Sequence, residues 1–137
     1  MIQAGHFQES LNLECLVSPQ KDDWDIRTAD TNRPGMQFCG YYAYFAYERP
    51  QIIGKVEMSY LEDHSSMERI QILTRYFSYD IPCVVICRGM NAPEELLRIA
   101  AERGIPVYRS SEVTSKLSTR MIHYLSRQLA HIIHVAI

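Results

Sequence analysis

Apolar positions recur at helical intervals in three stretches of the chain and gather into short unbroken runs between them. That alternation predicts a layered α/β fold. The first periodic stretch sets Met67, Ile70, Leu73 and Phe77 on one face. Ser65 and Glu68 precede it at the spacing of a capping box, in which each residue's side chain satisfies the other's free backbone N–H. A helix over about 65–77 is expected. In the second stretch Pro93 opens a helix over 93–103 whose core candidates are Leu96, Leu97, Ile99 and Ala100, and Gly104 stands where a left-handed terminating residue is wanted. The third, about 111–129, is expected to cap with Ser110 or Ser111 and to bury Val113, Leu117, Met121, Tyr124 or Leu125, and Leu129.

Between these helices lie Ile52-Ile53, the β-branched run from Cys83 to Cys87, and Ile105-Pro106-Val107-Tyr108. Strands separated by helical segments pair in parallel, so strands 82–88 and 105–108 are expected to be neighbours or near neighbours, with helix 93–103 on one face of the sheet. The first fifty residues are less regular. They accommodate a short N-terminal helix, a strand around 13–17 and another around 26–30, followed by turn chemistry in Asp30-Thr31-Asn32-Arg33-Pro34-Gly35. Ile132 to Ile137 reads as a strand-like apolar run that stops at the last residue, a segment expected either to pack inside the domain or to lead into further chain.

With 137 residues there is room for one domain, and the 47% apolar and 22% charged content is that of an ordinary globular core rather than a disordered chain. Fourteen basic against sixteen acidic residues give a net charge of −2. This balance argues against nucleic acid and anionic membranes as partners. The start of the chain has neither a basic stretch nor an apolar one behind it, and no run of 18 apolar residues occurs, so a soluble, cytoplasmic protein is expected. In a reducing compartment the four cysteines should be free thiols. Cys83 and Cys87 have the look of a ligand pair, but on one strand their Cα atoms would lie ~13 Å apart, too far for a disulfide or a single zinc ion.

Four constellations invite a chemical reading. Gly35-Met36-Gln37-Phe38-Cys39-Gly40 has the two-glycine spacing of a phosphate loop, yet continues Tyr41-Tyr42 where a lysine and a hydroxyl residue are required. Five aromatics within seven residues, Tyr41, Tyr42, Tyr44, Phe45 and Tyr47, would fill a core or stack a nucleobase. In the turn before them, Asn32 and Arg33 are candidates for an anion or a partner loop. Arg88, leaving a central strand at its carboxyl end, occupies the edge where open α/β sheets bind ligands. The histidines have no Cys or carboxylate at metal spacing, and no Gly-x-Ser-x-Gly elbow is present, so neither a metal site nor a nucleophile triad is expected.

Taken in order, Asp30 to Gly35, Tyr47-Glu48-Arg49-Pro50-Gln51-Ile52-Ile53-Gly54, Phe77-Ser78-Tyr79-Asp80-Ile81-Pro82-Cys83 and Arg88-Gly89 resemble the amino-terminal domain of HPr kinase/phosphorylase. The likeness runs from about Leu11 to Leu129; Met1–Ser10 and Pro19–Asp25, with Trp24, fit it poorly. It implies an α/β/α layered domain with a mainly parallel sheet, similar to the amino-terminal domain of muramoyl-peptide ligases. It also implies a cytoplasmic bacterial enzyme that phosphorylates a serine of HPr with ATP or pyrophosphate and Mg, reverses this by phosphorolysis, controls carbon use, and assembles as a hexamer. In that family the phosphate loop and catalytic aspartate belong to a carboxyl-terminal kinase domain. On this resemblance residues 1–131 form the amino-terminal domain and 132–137 begin a linker to that kinase domain. No catalytic, cofactor or metal residue is then expected in this chain, whose contacts with other domains or an effector would involve Asn32, Arg33 and Arg88. The alternative is a freestanding module for a nucleotide or sugar phosphate, with Arg33 or Arg88 pairing to the anion and Tyr41, Tyr42 or Tyr44 stacking on a base.

Overall fold

The structure, a computed structural model, describes the backbone of residues 1–136 and the side chains of residues 1–131. The elements in chain order are β1 (Ile2–Gln3), α1 (Ala4–Ser10), β2 (Glu14–Val17), β3 (Asp23–Trp24), α2 (Gly35–Phe38), β4 (Gln51–Ile53), α3 (Lys55–Glu62), α4 (Ser66–Tyr76), β5 (Val84–Ile86), α5 (Glu94–Arg103), β6 (Val107–Arg109) and α6 (Thr114–Ala136).

Four strands form the central sheet in the order β2-β6-β5-β4. β4, β5 and β6 run parallel, with Ile52 opposite Val85 and Val85 opposite Tyr108, and β2 closes the far edge antiparallel to β6. Strand alternation divides the core cleanly. Ile52, Val85 and Tyr108 point to one face, where they pack with Phe7 of α1, Trp24, and Leu117, Met121 and Leu125 of α6. Ile53, Val84, Ile86 and Val107 point to the other, against Met58 and Leu61 of α3, Leu73 and Tyr76 of α4, and Leu96, Ile99 and Ala100 of α5. The sheet is thus covered on both sides, as parallel sheets are, and the expected α/β/α layering with a mostly parallel sheet is what the chain adopts. β1 and β3 make a separate two-stranded antiparallel ribbon.

The local signals that specify helices work as physical chemistry requires. Ser65 Oγ accepts from the backbone N–H of Glu68 at 3.2 Å, and a Glu68 carboxylate oxygen accepts from that of Ser65 at 2.9 Å. Gly104 ends α5 at φ +73°, in contact with Gln20.

Several boundaries differ from the expectations, each for an identifiable reason. Residues 26–30 are not a strand; the pairing strand is Asp23–Trp24, and Ile26 reaches the core as an isolated buried side chain. One helix was expected between the Ile52 and Cys83 strands and there are two, because Gly54 starts α3 immediately after β4. Met67 is 73% exposed rather than core-facing, since the phase of α4 turns Leu73 and Tyr76 inward instead. Pro93 caps α5 from outside its first turn. Ser110 serves a turn, accepting from the N–H of Glu112, and α6 begins only at Thr114, which leaves Val113 exposed. The backbone from Ile132 to Ala136 continues α6 as helix, not as a strand; Ile137 lies outside the described residues.

Candidate functional site

β4, β5 and β6 end on the same side of the sheet, so the residues that follow them are brought together although they are far apart in sequence. This is the edge at which open α/β sheets gather functional side chains. After β4 comes Gly54, the cap of α3; after β5 come Cys87, Arg88 and Gly89; after β6 come Ser110 to Thr114, leading into α6. A fourth segment joins them. Asn32 forms a parallel bridge with Gln51, its carbonyl accepting from the N–H of Ile52 at 2.8 Å, and this short extension of the sheet carries Arg33 to the same edge.

The centre of the arrangement is an ion pair. Arg33 donates from Nη2 to both carboxylate oxygens of Glu57 at 2.9 Å and from Nε to Oε1 at 3.2 Å. Glu57 Oε1 also accepts from the backbone N–H of Gly54 at 2.6 Å, closing the first turn of α3. The two partners differ in environment: the Glu57 side chain is 5% exposed, that of Arg33 46%. Glu57 is therefore a buried anchor and Arg33 a guanidinium held by it and half open to solvent.

Gly54 permits this geometry. A Cβ at that position would stand 2.7 Å from Arg33 Nη2 and 2.7 Å from the Thr114 hydroxyl. Gly54→Ala is accordingly expected to displace Arg33 from Glu57 and to cost about 1–3 kcal/mol. The displacement is checked by combining it with Arg33→Ala, because the pair should cost clearly less than the sum of the two single variants.

Burial pushes the Cys87 thiol up, while a hydrogen bond with Thr114 and the charges of Arg33 and Arg88 draw it back. The Glu57 carboxylate pushes the same thiol up, so Cys87 sits beside the Arg33–Glu57 pair at the end of β5 rather than among cations alone. Arg88 is exposed and holds a left-handed backbone conformation at φ +58°. Its N–H donates to the carbonyl of Glu112 and that of Gly89 to the carbonyl of Ser110, both at 2.8 Å, which ties the β5 and β6 loops together. Cys83, at the other end of β5, is wholly buried; all four cysteines are free thiols.

The structure unites Arg33 and Arg88 at one edge and gives Asn32 an internal task, donating to Gln51 Oε1 at 2.8 Å and Gln37 Oε1 at 3.3 Å. It does not bring the tyrosines to them. Tyr42 stacks on Tyr79 at 5.2 Å, with Arg75 4.1 Å above its ring, and burial raises its phenol to about 12. Phe45 packs against Tyr76 and Tyr79. Those partners lie ahead of β5, at the amino ends of the parallel strands. Tyr41 is half exposed and Tyr44 fully so. Sequence reasoning missed Gly54, Glu57, Cys87 and Thr114. The detectable signal was Gly54-x-x-Glu57 directly after a strand, a capping arrangement without a hydroxyl residue.

The glycine-spaced segment 35–40 folds as α2 and its closing turn, with the N–H groups of Phe38, Cys39 and Gly40 bonded to the carbonyls of Pro34, Gly35 and Gln37. Those amides are turned inward. Among the described residues, no group of three His, Cys, Asp or Glu side chains is placed to hold a metal ion, and no helix is long and apolar enough to cross a membrane.

Residues 2–125 match the family model described as HPr Serine kinase N terminus. The chain belongs to that family. HPr kinase/phosphorylase of Alkaliphilus metalliredigens is 48% identical over 129 residues, covering 94% of this chain and 42% of the relative. That of Thermoanaerobacter sp. is 40% identical over 122 residues, covering 89% and 40%. The HPr kinase N-terminal domain described here therefore spans about two fifths of the length of the curated relatives it matches. The CBS and DRTGG domains of the regulatory region of a Clostridium perfringens pyrophosphatase, solved with the activator diadenosine tetraphosphate, superpose with a TM-score of 0.61. At 11% identity, over 88% of this chain and 46% of that one, this is a likeness of fold alone.

Proposed function

We propose that this domain does positional rather than chemical work in an HPr kinase/phosphorylase of the cytoplasm, contributing to assembly and to the regulation of sugar use. In this reading HPr and a carboxyl-terminal kinase domain are its partners. ATP or pyrophosphate and Mg are handled by that kinase domain, and the whole enzyme is a homo-oligomer, hexameric as in the resemblance. The carrying observation is the state of residues 35–40. The segment with phosphate-loop glycine spacing bonds the N–H groups of Phe38, Cys39 and Gly40 within α2 and its closing turn, and presents Tyr41 and Tyr42 in place of the lysine and hydroxyl that phosphoryl transfer needs. Family membership over nearly the whole chain, with relatives more than twice as long, supports the same division of labour.

Offered HPr with ATP or with pyrophosphate, the chain alone is expected to leave HPr unmodified by mass spectrometry. Joined to the remaining three fifths of the Alkaliphilus relative, it is expected to support HPr phosphorylation and assembly, read by light scattering. Phosphorylated HPr formed by the chain on its own, free of contaminating enzyme, overturns the reading. A freestanding nucleotide-binding module would instead show itself as a thermal shift with nucleotide, about 2.7 kcal/mol at a hundredfold excess over the dissociation constant.

A further inference from the structure

The charges of this chain are unevenly placed. α6 carries Lys116, Arg120 and Arg127 and no carboxylate along its 23 residues, so in a chain of net −2 everything outside it sums to −5. A helix of this length without a single acid, and with none in its first turn, forgoes the usual pairing with its own dipole and with i+4 partners.

Arg120, His123 and Arg127 recur at three- and four-residue steps and line one face of α6, which meets α1 along a groove of about 440 Å³. His6 and Ser10 of α1 form the opposite wall, and no Asp or Glu lines the groove. The wall is ordered: His6 Nδ1 lies 2.7 Å from the Tyr124 hydroxyl, and Ser10 Oγ 3.5 Å from His6 Nε2. Arg120 is held from outside the groove by Glu112 at 2.7 Å. Arg127 and His123 have no side-chain partner among the described residues.

We propose that the groove between α1 and α6 binds a phosphate dianion, either free or as the monoester of a small molecule. Arg127 and His123, with no side-chain partner among the described residues, line a space the size of a small-ligand site whose walls are completed by Arg120, His6 and Ser10, and a planar guanidinium matches phosphate oxygens in pairs. The polar lining suits a hydrated anion rather than an apolar ligand. This inference stands independently of the kinase reading, since it rests on α1 and α6 and not on the sheet edge.

The test titrates the whole chain, at constant ionic strength, with inorganic phosphate, glucose 6-phosphate, and glucose as the uncharged control, following the histidine ring C–H signals by NMR. The signals of His6 and His123, assigned from His6→Gln and His123→Gln, are expected to move saturably with both phosphates and not with glucose. The tighter of the two phosphates identifies the source as the free ion or the ester. Arg127→Gln is expected to weaken binding roughly tenfold or more, and because that side chain is exposed and has no partner among the described residues the melting temperature should not change. The proposal is overturned by signals that do not saturate, by equal movement with chloride, or by unaltered binding in a folded Arg127→Gln variant.

Discussion

Replacing Gln51 with Leu is expected to cost about 3–5 kcal/mol. Gln51 is completely buried at the start of β4 and has all its polar capacity in use. Its Oε1 accepts from the Asn32 amide at 2.8 Å and from the Tyr76 hydroxyl at 3.0 Å, while Nε2 donates to the carbonyls of Ala46 and Arg49 at 3.1 and 2.8 Å. A leucine of similar volume keeps the packing but strands two donors and two carbonyls. Tyr76, itself wholly buried, has no water to turn to. Tyr76→Phe supplies the contrast: it removes one donor and leaves Gln51 Oε1 satisfied by Asn32, so about 1 kcal/mol is expected. Urea unfolding followed through the lone, buried Trp24 reads both variants. At two to four degrees per kcal/mol, Gln51→Leu should lower the melting temperature by about 10 °C. Equal costs for the two variants would mean that the amide is not the fastening it is taken for.

That fastening explains which parts of the fold were legible in the sequence. Helices α4 and α5 announce themselves locally, through the Ser65 and Glu68 capping pair and through Gly104, because those interactions close within a few residues. β5 and β6 are legible as unbroken apolar runs because both faces of a parallel sheet are covered. The region between residues 23 and 50 is not, since its conformation is set by distant partners: Trp24 pairs with Ile2, and Asn32 with Gln51. The tail of α6 misled for the opposite reason. Ile132 to Val135 has strand-like composition, yet the backbone simply propagates a helix already nucleated twenty residues earlier, and extension is far cheaper than a new start.

The candidate site divides along the same line. Arg33 and Arg88 were recognisable by residue type and position, but no local pattern could show that they share an edge, since 55 residues and two strands separate them in sequence. Glu57 left only a faint signal, the Gly54-x-x-Glu57 spacing, because its helix is eight residues long and follows β4 with only Gly54 between. The aromatics were recognisable as a run, and the structure locates Tyr42, Phe45 and Tyr47 at the other end of the strands, where Tyr76 and Tyr79 pack with them, while Tyr44 stays exposed.

Arg33→Ala is expected to be the second large loss, about 2–3 kcal/mol, because it leaves the Glu57 carboxylate buried with only the Gly54 N–H to face it. The half-exposed guanidinium reduces this below the cost of breaking a fully buried pair, since water partly screens the interaction it makes and partly replaces it when lost. Arg33→Lys should recover little. An ammonium delivers a point charge, whereas Glu57 is gripped by Nε and Nη2 together from one plane. Adding Glu57→Gln to Arg33→Ala should restore a substantial part of the lost stability, because a neutral amide can still accept from Gly54 without a buried charge to compensate. The three variants, unfolded in urea at neutral pH, therefore separate a charge-pair role from a packing role. If the double variant is no more stable than Arg33→Ala, the packing of the Arg33 side chain beside Gly54, not its charge, is what closes this edge of the sheet.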